Sequence, residues 1–361
     1  MCIACQLDAN RTDAFANFMT DVLQKGALGL MISIGHRTAL FDTMNALGPM
    51  TLQELAKKTN LSQRYVREWL GAMVTGGIVD IDETGTYFTL PKEHAQMLTR
   101  ANPADNMAVH TQYLSVLGSV EDQVVECFEK GGGVSYDQYP RFHEVMAEDS
   151  GQTIGSNIFD KVIPMVEGLE DRLRKGIDVL DIGCGRARVL IKMAKEFPNS
   201  RFVGYDLSTG AIKNARAFAK EHGVENVSFE VQDLTHFHKN AVPNTFDFIT
   251  AFDAIHDQAR PDHVLQGIAR SLRPTGIFLM QDIAGSSDMM EDCKNPMAAF
   301  LYTISCMHCM TVSLAQGGMG VGAMWGRGLA TRMLKHAGFT NVSVNQLDHD
   351  PLNYYYVVDK A

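Results

Sequence analysis

The sequence predicts an α/β fold in which a doubly wound parallel sheet ends in an antiparallel pair of strands and is preceded by an α-rich winged-helix domain. Three observations carry this expectation. From about residue 166 onward, short apolar runs alternate with helical stretches. The chain ends in two strands joined by a turn too short for a parallel crossover. The first hundred residues read as helix, turn, helix, hairpin.

The first part, residues 1–100, rests on local signals. Thr51 with Glu54 three residues later has capping-box spacing, in which each side chain satisfies an orphan backbone N–H of the helix start. A second helix from Gln63 to Thr75 places Val66, Leu70 and Met73/Val74 on one face and stops at Gly76-Gly77. Ile78–Ile81 and Tyr87–Leu90 flank Glu83-Thr84-Gly85 as a hairpin. A winged helix suggests DNA, and Lys57, Lys58, Arg64 and Arg67 surround the second helix. Yet residues 1–100 hold nine Lys/Arg against ten Asp/Glu, a net of −1, which is weak for a polyanion partner.

Residues 101–165 read as a helical connector carrying Gly131-Gly132-Gly133 and the aromatic segment Tyr136, Tyr139, Phe142. In residues 166–361 the expected strands are Ile177–Ile182, Phe202–Asp206, Val227–Val231, Phe246–Phe252 and Gly276–Asp282, followed by Val342–Leu347 and Tyr354–Val358 across the turn Asp348–Pro351. An insert, residues 284–326, separates the fifth strand from the next helix and is rich in methionine and glycine. It reads as an adaptable, lid-like apolar wall or as core packing.

The first strand runs into Asp181-Ile182-Gly183-Cys184-Gly185, where the glycines let the backbone turn and a ligand lie against it. Asp206 ends the second strand, 21 residues beyond Gly185, and is followed by Leu207; a carboxylate there suits ribose hydroxyls. The third strand ends in Gln232-Asp233-Leu234, an acid beside an apolar residue that suits adenine. A pyrophosphate ligand would need a small residue at position 188, where Arg188 stands. Acids at 181, 206 and 233 instead suit a sulfonium that carries an α-amino group.

Asp181-x-Gly183-x-Gly185, Asp206, Asp233, the Phe246-Asp247 strand and Leu272-Arg273-Pro274-Thr275-Gly276 together resemble the motif series of class I S-adenosylmethionine-dependent methyltransferases. The resemblance covers about 200 residues and implies a Rossmann-like, seven-stranded methyltransferase domain with an antiparallel last strand. With the winged helix and the Cys/Met-rich insert, the chain is similar to small-molecule methyltransferases of mycobacteria and nematodes, and more distantly to winged-helix O-methyltransferases. The resemblance implies S-adenosylmethionine as cofactor. The backbone at Gly183 and Gly185 would hold its methionine end, Asp206 the ribose, and Asp233 with Leu234 the adenine, with Asp181, Leu207 and Phe252 as further cofactor-binding residues. It also implies a homodimer formed through the first hundred residues.

His256-Asp257 follows the fourth strand at the edge where open α/β sheets bind ligands. A histidine there can act as a general base on a small-molecule nucleophile, with Asp257 orienting it. The similar His-Asp pair of winged-helix O-methyltransferases implies the same role, although Gln258 stands here where a Trp follows in that family. The expected acceptor is a thiol or phenol-like hydroxyl, or an imidazole or amine nitrogen. Tyr139 and His143 of the connector, with Met307 and Trp325 of the insert, are candidate substrate contacts. Cys306-Met307-His308-Cys309 and Cys2-x-x-Cys5 raise metal or redox chemistry. A structural zinc needs four ligands, and Cys306 with Cys309 at i, i+3 fits an apolar core helix, so no metal is assigned.

The net charge of −10 disfavours nucleic acid as principal partner, and seven scattered cysteines fit a reducing compartment. No apolar stretch reaches the roughly 20 residues of a membrane span and no secretion signal stands at the start, so a cytoplasmic location is expected. Two further readings are a ligand-sensing DNA-binding regulator, which predicts duplex binding through the Lys57–Arg67 region, and a nicotinamide oxidoreductase, against which Arg188 and the terminal strand pair both count.

Overall fold

The computed structural model describes residues 8–360, so Cys2 and Cys5 lie outside the described residues. Two compact units divide between Ser115 and Val116, inside the stretch that the sequence sets apart as a connector.

The first unit opens with a long helix, α1 (Ala9–Arg37), N-capped by Asp8, and continues through α2 (Leu40–Leu47), β1 (Met50–Thr51), α3 (Leu52–Thr59) and α4 (Gln63–Thr75) to β2 (Asp80–Ile81) and β3 (Tyr87–Thr89). The capping box at α3 is complete: the Thr51 hydroxyl accepts from the Glu54 N–H, and the Glu54 carboxylate accepts from the Thr51 N–H at 2.9 Å. Strand β1, which the sequence reading did not foresee, is a two-residue segment that pairs antiparallel with β3 and turns the hairpin into a three-stranded sheet of order β1-β3-β2. Val66, Leu70 and Met73 are buried as their spacing predicts, joined by Trp69, whose ring meets Phe41 edge-on and whose N–H bonds the carbonyl of Met31 at 3.0 Å. Gly35 is required here, because a Cβ would stand 2.7 Å from both aromatic rings. On α4, Arg64 pairs with Glu68 and Arg67 lies 3.8 Å from the same carboxylate, so the helix's cations are partly neutralised.

The second unit is built on strands β4 (Asp178–Ile182), β5 (Arg201–Asp206), β6 (Val227–Val231), β7 (Phe246–Phe252), β8 (Leu272–Ile283), β9 (Asn341–Leu347) and β10 (Asp350–Asp359), in the order β6-β5-β4-β7-β8-β10-β9. β4 to β8 pair in parallel, and β10 runs antiparallel to both β8 and β9. The last strand therefore enters the sheet between its predecessors. The parallel strands are buried on both faces, with Val179, Leu180, Phe248, Ile249, Phe278 and Leu279 at 1% exposure or less, as a sheet covered by helices demands.

Two strands are longer than their patterns suggest. β8 begins at Leu272 rather than Gly276, with a register irregularity between Phe246 and Phe248 that accommodates Pro274. β10 begins at Asp350 and contains Pro351, again beside an irregularity, between Asp350 and Tyr355. Arg273 explains why the first extension is ordered: its guanidinium joins Asp178, at 2.9 Å, and Asp247. It thereby ties β8 to the starts of β4 and β7, at the edge opposite the strand tips.

One helical run, Ala298–Ala315, is long and apolar enough to cross a membrane by length and composition. Here it buries Leu301, Ser305, His308, Cys309, Thr311, Val312 and Ser313 in the second unit. All five cysteines among the described residues are free thiols.

Removing the α3 cap has a defined cost. In a Trp325→Phe background, where Trp69 is the sole tryptophan, Thr51→Ala should lower the stability of the first unit by about 1 kcal/mol. The urea midpoint of the fluorescence transition measures it.

Candidate active site

The parallel strands β4, β5, β6, β7 and β8 all end on one edge of the sheet, and the buried Asp181, His256 and Asp282 lie there. At β4, Asp181 is buried and its carboxylate accepts from the Thr250 hydroxyl at 2.7 Å. Burial lifts its pKa to about 7, against the Thr250 hydrogen bond and with the help of nearby Asp206. Gly183 has φ +69° and lies under Ala254, whose Cβ would be 2.5 Å from any Cβ added at Gly183. Gly185 has φ +54° and faces open space: an added Cβ would meet nothing within 4 Å. The loop is held by Asp206, which accepts the Gly185 N–H at 2.8 Å through one oxygen and the Ser208 N–H at 2.7 Å through the other. Each oxygen keeps a lone pair for a further donor.

The other cofactor candidates sit differently. Leu207 is 48% exposed beside Asp206. Asp233 caps its own short turn through the Thr235 N–H at 2.9 Å, which holds its carboxyl below the usual range. Leu234 is buried among Phe237, Ala241 and Ile255, and Phe252 packs partly into the core on the opposite face.

Beyond β7 the chain turns through Asp253, a non-glycine residue at φ +52°. His256 follows, 1% exposed. Its Nδ1 donates to Asp282 Oδ1 at 2.8 Å, while Nε2 stands 3.1 Å from Asp257 Oδ1. Burial pulls the imidazole's pKa down, but the carboxylates of Asp282 and Asp257 outweigh it and hold it well above the ordinary value. Burial opposes ionisation of Asp257, and facing His256 keeps its pKa below normal nonetheless. Burial, opposed by His256, pushes the half-buried Asp253 up to about 7.

Asp282 is the residue that sequence reasoning missed. It is 0% exposed at the end of β8, and Oδ1 also accepts the indole N–H of Trp325 at 2.9 Å and the Ile283 N–H at 2.9 Å. The available signal was register: Phe252 pairs with Gln281, which sets Asp282 beside Asp253. Trp325, expected at the substrate, is a buried donor that fixes Asp282.

The connector and the insert meet over this edge. Tyr139 donates to the carbonyl of Met307 at 2.6 Å, and the Val134 N–H donates to Thr311 Oγ1 at 2.9 Å. His143 stacks on Tyr136, with ring centroids 5.0 Å apart, and its pKa is lowered by burial against the opposing pull of Asp206. His308 is fully buried, stacked on Phe142 at 3.6 Å with Tyr136 and Tyr139 edge-on, and burial lowers its pKa to about 4. Thus Tyr139, His143 and Met307 come together with the His256-Asp257 region.

A sheet of this order with one antiparallel strand, a glycine turn after β4 and acids at successive strand tips defines the class I methyltransferase fold. Comparison with known proteins agrees: residues 173–338 match the family described as a methyltransferase domain, and residues 26–100 that of the Rv2258c-like winged HTH domain. The chain carries an Rv2258c-like winged helix followed by a methyltransferase domain of this fold. Among curated relatives, a fatty-acid O-methyltransferase of Mycolicibacterium smegmatis is 32% identical over 117 residues, which is 32% of this chain and 41% of that enzyme. A demethylmenaquinone methyltransferase of Listeria monocytogenes is 33% identical over 109 residues, 29% of this chain and 44% of that one. The chain therefore aligns with less than half the length of these two relatives. Solved structures match along the whole chain. The mitomycin 7-O-methyltransferase MmcR has a TM-score of 0.70 at 17% identity, covering 98% of this chain and 100% of that one. Human N-acetylserotonin methyltransferase, in complex with SAM, has 0.68 at 15% identity, with 99% of each chain covered.

The buried acid at β4 has a measurable signature. An unfolded chain ionises Asp181 near ~3.9, whereas the fold holds it at about 7. Its contribution to stability is therefore fully present below the lower value and lost as pH rises through the upper one. Asp181→Asn keeps an acceptor for Thr250 and carries no charge. Its stability relative to the native chain should rise from pH 5 to pH 8 in urea unfolding; a flat difference would contradict the assignment.

Proposed function

We propose that this chain is an S-adenosylmethionine-dependent methyltransferase acting on a small-molecule nucleophile, a thiol or phenol-like hydroxyl. One observation carries the reading: a glycine loop with an open face at Gly185, ringed by Asp181 and Asp206, shares one sheet edge with buried His256 and half-buried Asp257. When bound, the cofactor supplies an electrophilic methyl group on a positively charged sulfur. Solved neighbours include an enzyme in complex with SAM and PigF with SAH.

The residues fit that cargo. Gly183 and Gly185 let the methionine end lie on the backbone, and Asp181, poised near neutrality, ionises beside an α-amino cation. Asp206 has lone pairs left for ribose hydroxyls. Asp233 and Leu234, at the tip of β6, flank the adenine side. Arg188 lies over the Phe218 ring at 5.7 Å, a position that leaves no small-residue approach for a pyrophosphate. His256 and Asp257 align the acceptor and control its proton, and the aromatic group Tyr136, Tyr139 and Phe142 excludes water.

The winged helix serves for assembly. Phe15, Phe18, Met19, Val22 and Leu23 are 45–74% exposed along α1, spaced as one helical stripe. Such a stripe suits a second copy of the chain better than DNA, and the free thiols agree with a reducing cytoplasm. Leu23→Glu should shift the chain from dimer to monomer in sedimentation velocity.

The deciding experiment is calorimetry of the intact protein with S-adenosylmethionine and S-adenosylhomocysteine, against NAD, followed by product mass with a panel of thiols and phenols. Binding of the first two without NAD is expected. His256→Gln should retain cofactor affinity and lose roughly 100-fold or more in turnover. Uptake of NAD alone would refute the proposal.

A further inference from the structure

We propose that His256, Asp257 and Cys309 form a three-ligand site for a divalent metal ion of the zinc type, with a fourth position open to the methyl acceptor. Imidazole, carboxylate and thiolate are the donors zinc takes, and three protein ligands with one open position is the pattern of catalytic rather than structural zinc. One ligand atom from each residue lies within 4.8 Å of the other two. Ligand atoms around a tetrahedral ion at zinc bond lengths stand roughly 3.3–3.8 Å apart, so small side-chain rotations complete the site. Nε2 of His256 and Oδ1 of Asp257 stand 3.1 Å apart, slightly inside that spacing, and this Asp257 oxygen has no hydrogen-bond partner.

The surroundings are those of a ligand set. His256 donates Nδ1–H to Asp282, which leaves Nε2 as the coordinating atom and makes a carboxylate–histidine–metal relay. Asp282 is in turn fixed by the Trp325 N–H and the Ile283 N–H. Cys309 closes a π-helical turn, Ser305–Cys309, within an otherwise α-helical run, and this turn buries both His308 and Cys309. Such turns recur at functional sites.

The second, independent observation is His308. It is 0% exposed, neither of its ring nitrogens has a hydrogen-bond partner, and Nδ1 stands 3.7 Å from Asp257 Oδ2. An apolar side chain could fill that space without the cost of an unpaired buried imidazole. A water or acceptor on the ion's open position gives His308 its partner. The sequence assigned no metal because Cys306 and Cys309 alone offer too few ligands; the fold supplies His256 and Asp257 from 53 and 52 positions before Cys309.

The acceptor class follows, resting on the methyltransferase reading. A thiol binds the ion as thiolate, so His256 and Asp257 act on its proton through the ion they hold, and the proton passes to solvent. Its sulfur then gives a lone pair to the methyl carbon, the carbon–sulfonium bond breaks, and that electron pair stays on the cofactor's sulfur. The products are a neutral thioether, a poor ligand that leaves the ion, and S-adenosylhomocysteine.

The test uses the full-length protein, stripped with a chelator and titrated with Zn²⁺ and Co²⁺. One tightly bound ion per chain is expected, with a tetrahedral Co²⁺ spectrum and a thiolate charge-transfer band. Cys309→Ser should abolish that band, and Asp257→Asn should weaken the ion at least 10-fold. Asp282→Asn, acting through His256, should weaken it about 10- to 100-fold. Circular dichroism and S-adenosylmethionine calorimetry on each variant separate loss of the ion from loss of the fold. A small aryl thiol should perturb the Co²⁺ spectrum, and the matching phenol should do so less. A folded protein that binds S-adenosylmethionine yet takes up no stoichiometric ion, or a Cys309→Ser variant with native affinity and spectrum, overturns the metal site. An ion bound without cofactor affinity overturns the methyltransferase reading instead.

Discussion

The organisation of the second unit depends on the hydrogen bond from His256 to Asp282. A carboxylate at zero exposure needs hydrogen-bond donors, and here one oxygen collects an imidazole, an indole and a backbone N–H. That convergence fixes three pieces of chain at once: the turn after β7, the end of β8, and the segment at Trp325 that leads into the helix Gly326–His336. With Asp282 in place, His256 has one orientation, and its second nitrogen is presented toward Asp257 and Cys309.

The sheet makes this possible by bringing acids to one edge. Asp181, Asp206, Asp253 and Asp282 all follow or end parallel strands, so their carboxyls lie close together although they are far apart in the chain. Burial, helped by repulsion from neighbouring carboxylates, pushes Asp181 and Asp253 toward neutrality, while Asp206 accepts from two backbone donors. Such an edge suits a cationic ligand more than a phosphorylated one. The opposite edge is stabilised separately by Arg273, which bridges Asp178 and Asp247 and belongs to the scaffold rather than the chemistry.

Much of this was legible in the sequence where the signal is local. Capping residues, glycines at positive φ and apolar periodicity announced the winged helix, the loop at Gly183 and Gly185, and the strands. Residues whose meaning depends on a partner were harder to read. Asp233 uses an oxygen on its own turn, Leu234 joins the core, and Trp325 turned out to donate inside the protein. Asp282 carried no motif at all, because its importance comes from β7–β8 register. Pro274 and Pro351 shortened the expected strands, since a residue without an N–H looks like an end until an irregularity in the pairing is seen to absorb it.

By itself, then, the amino-acid order determined the two kinds of domain, the turn that cradles a nucleoside and the acids at the strand tips, because each depends on backbone conformation or on periodicity within a few residues. Which side chains share the buried space beyond the sheet was decided only by the tertiary structure. His256, Asp282, His308, Cys309 and Trp325 come from separate segments, and no local rule relates them. Their meeting follows from strand register and from a π turn that inserts one helix into the edge, and both arise only when the whole unit packs.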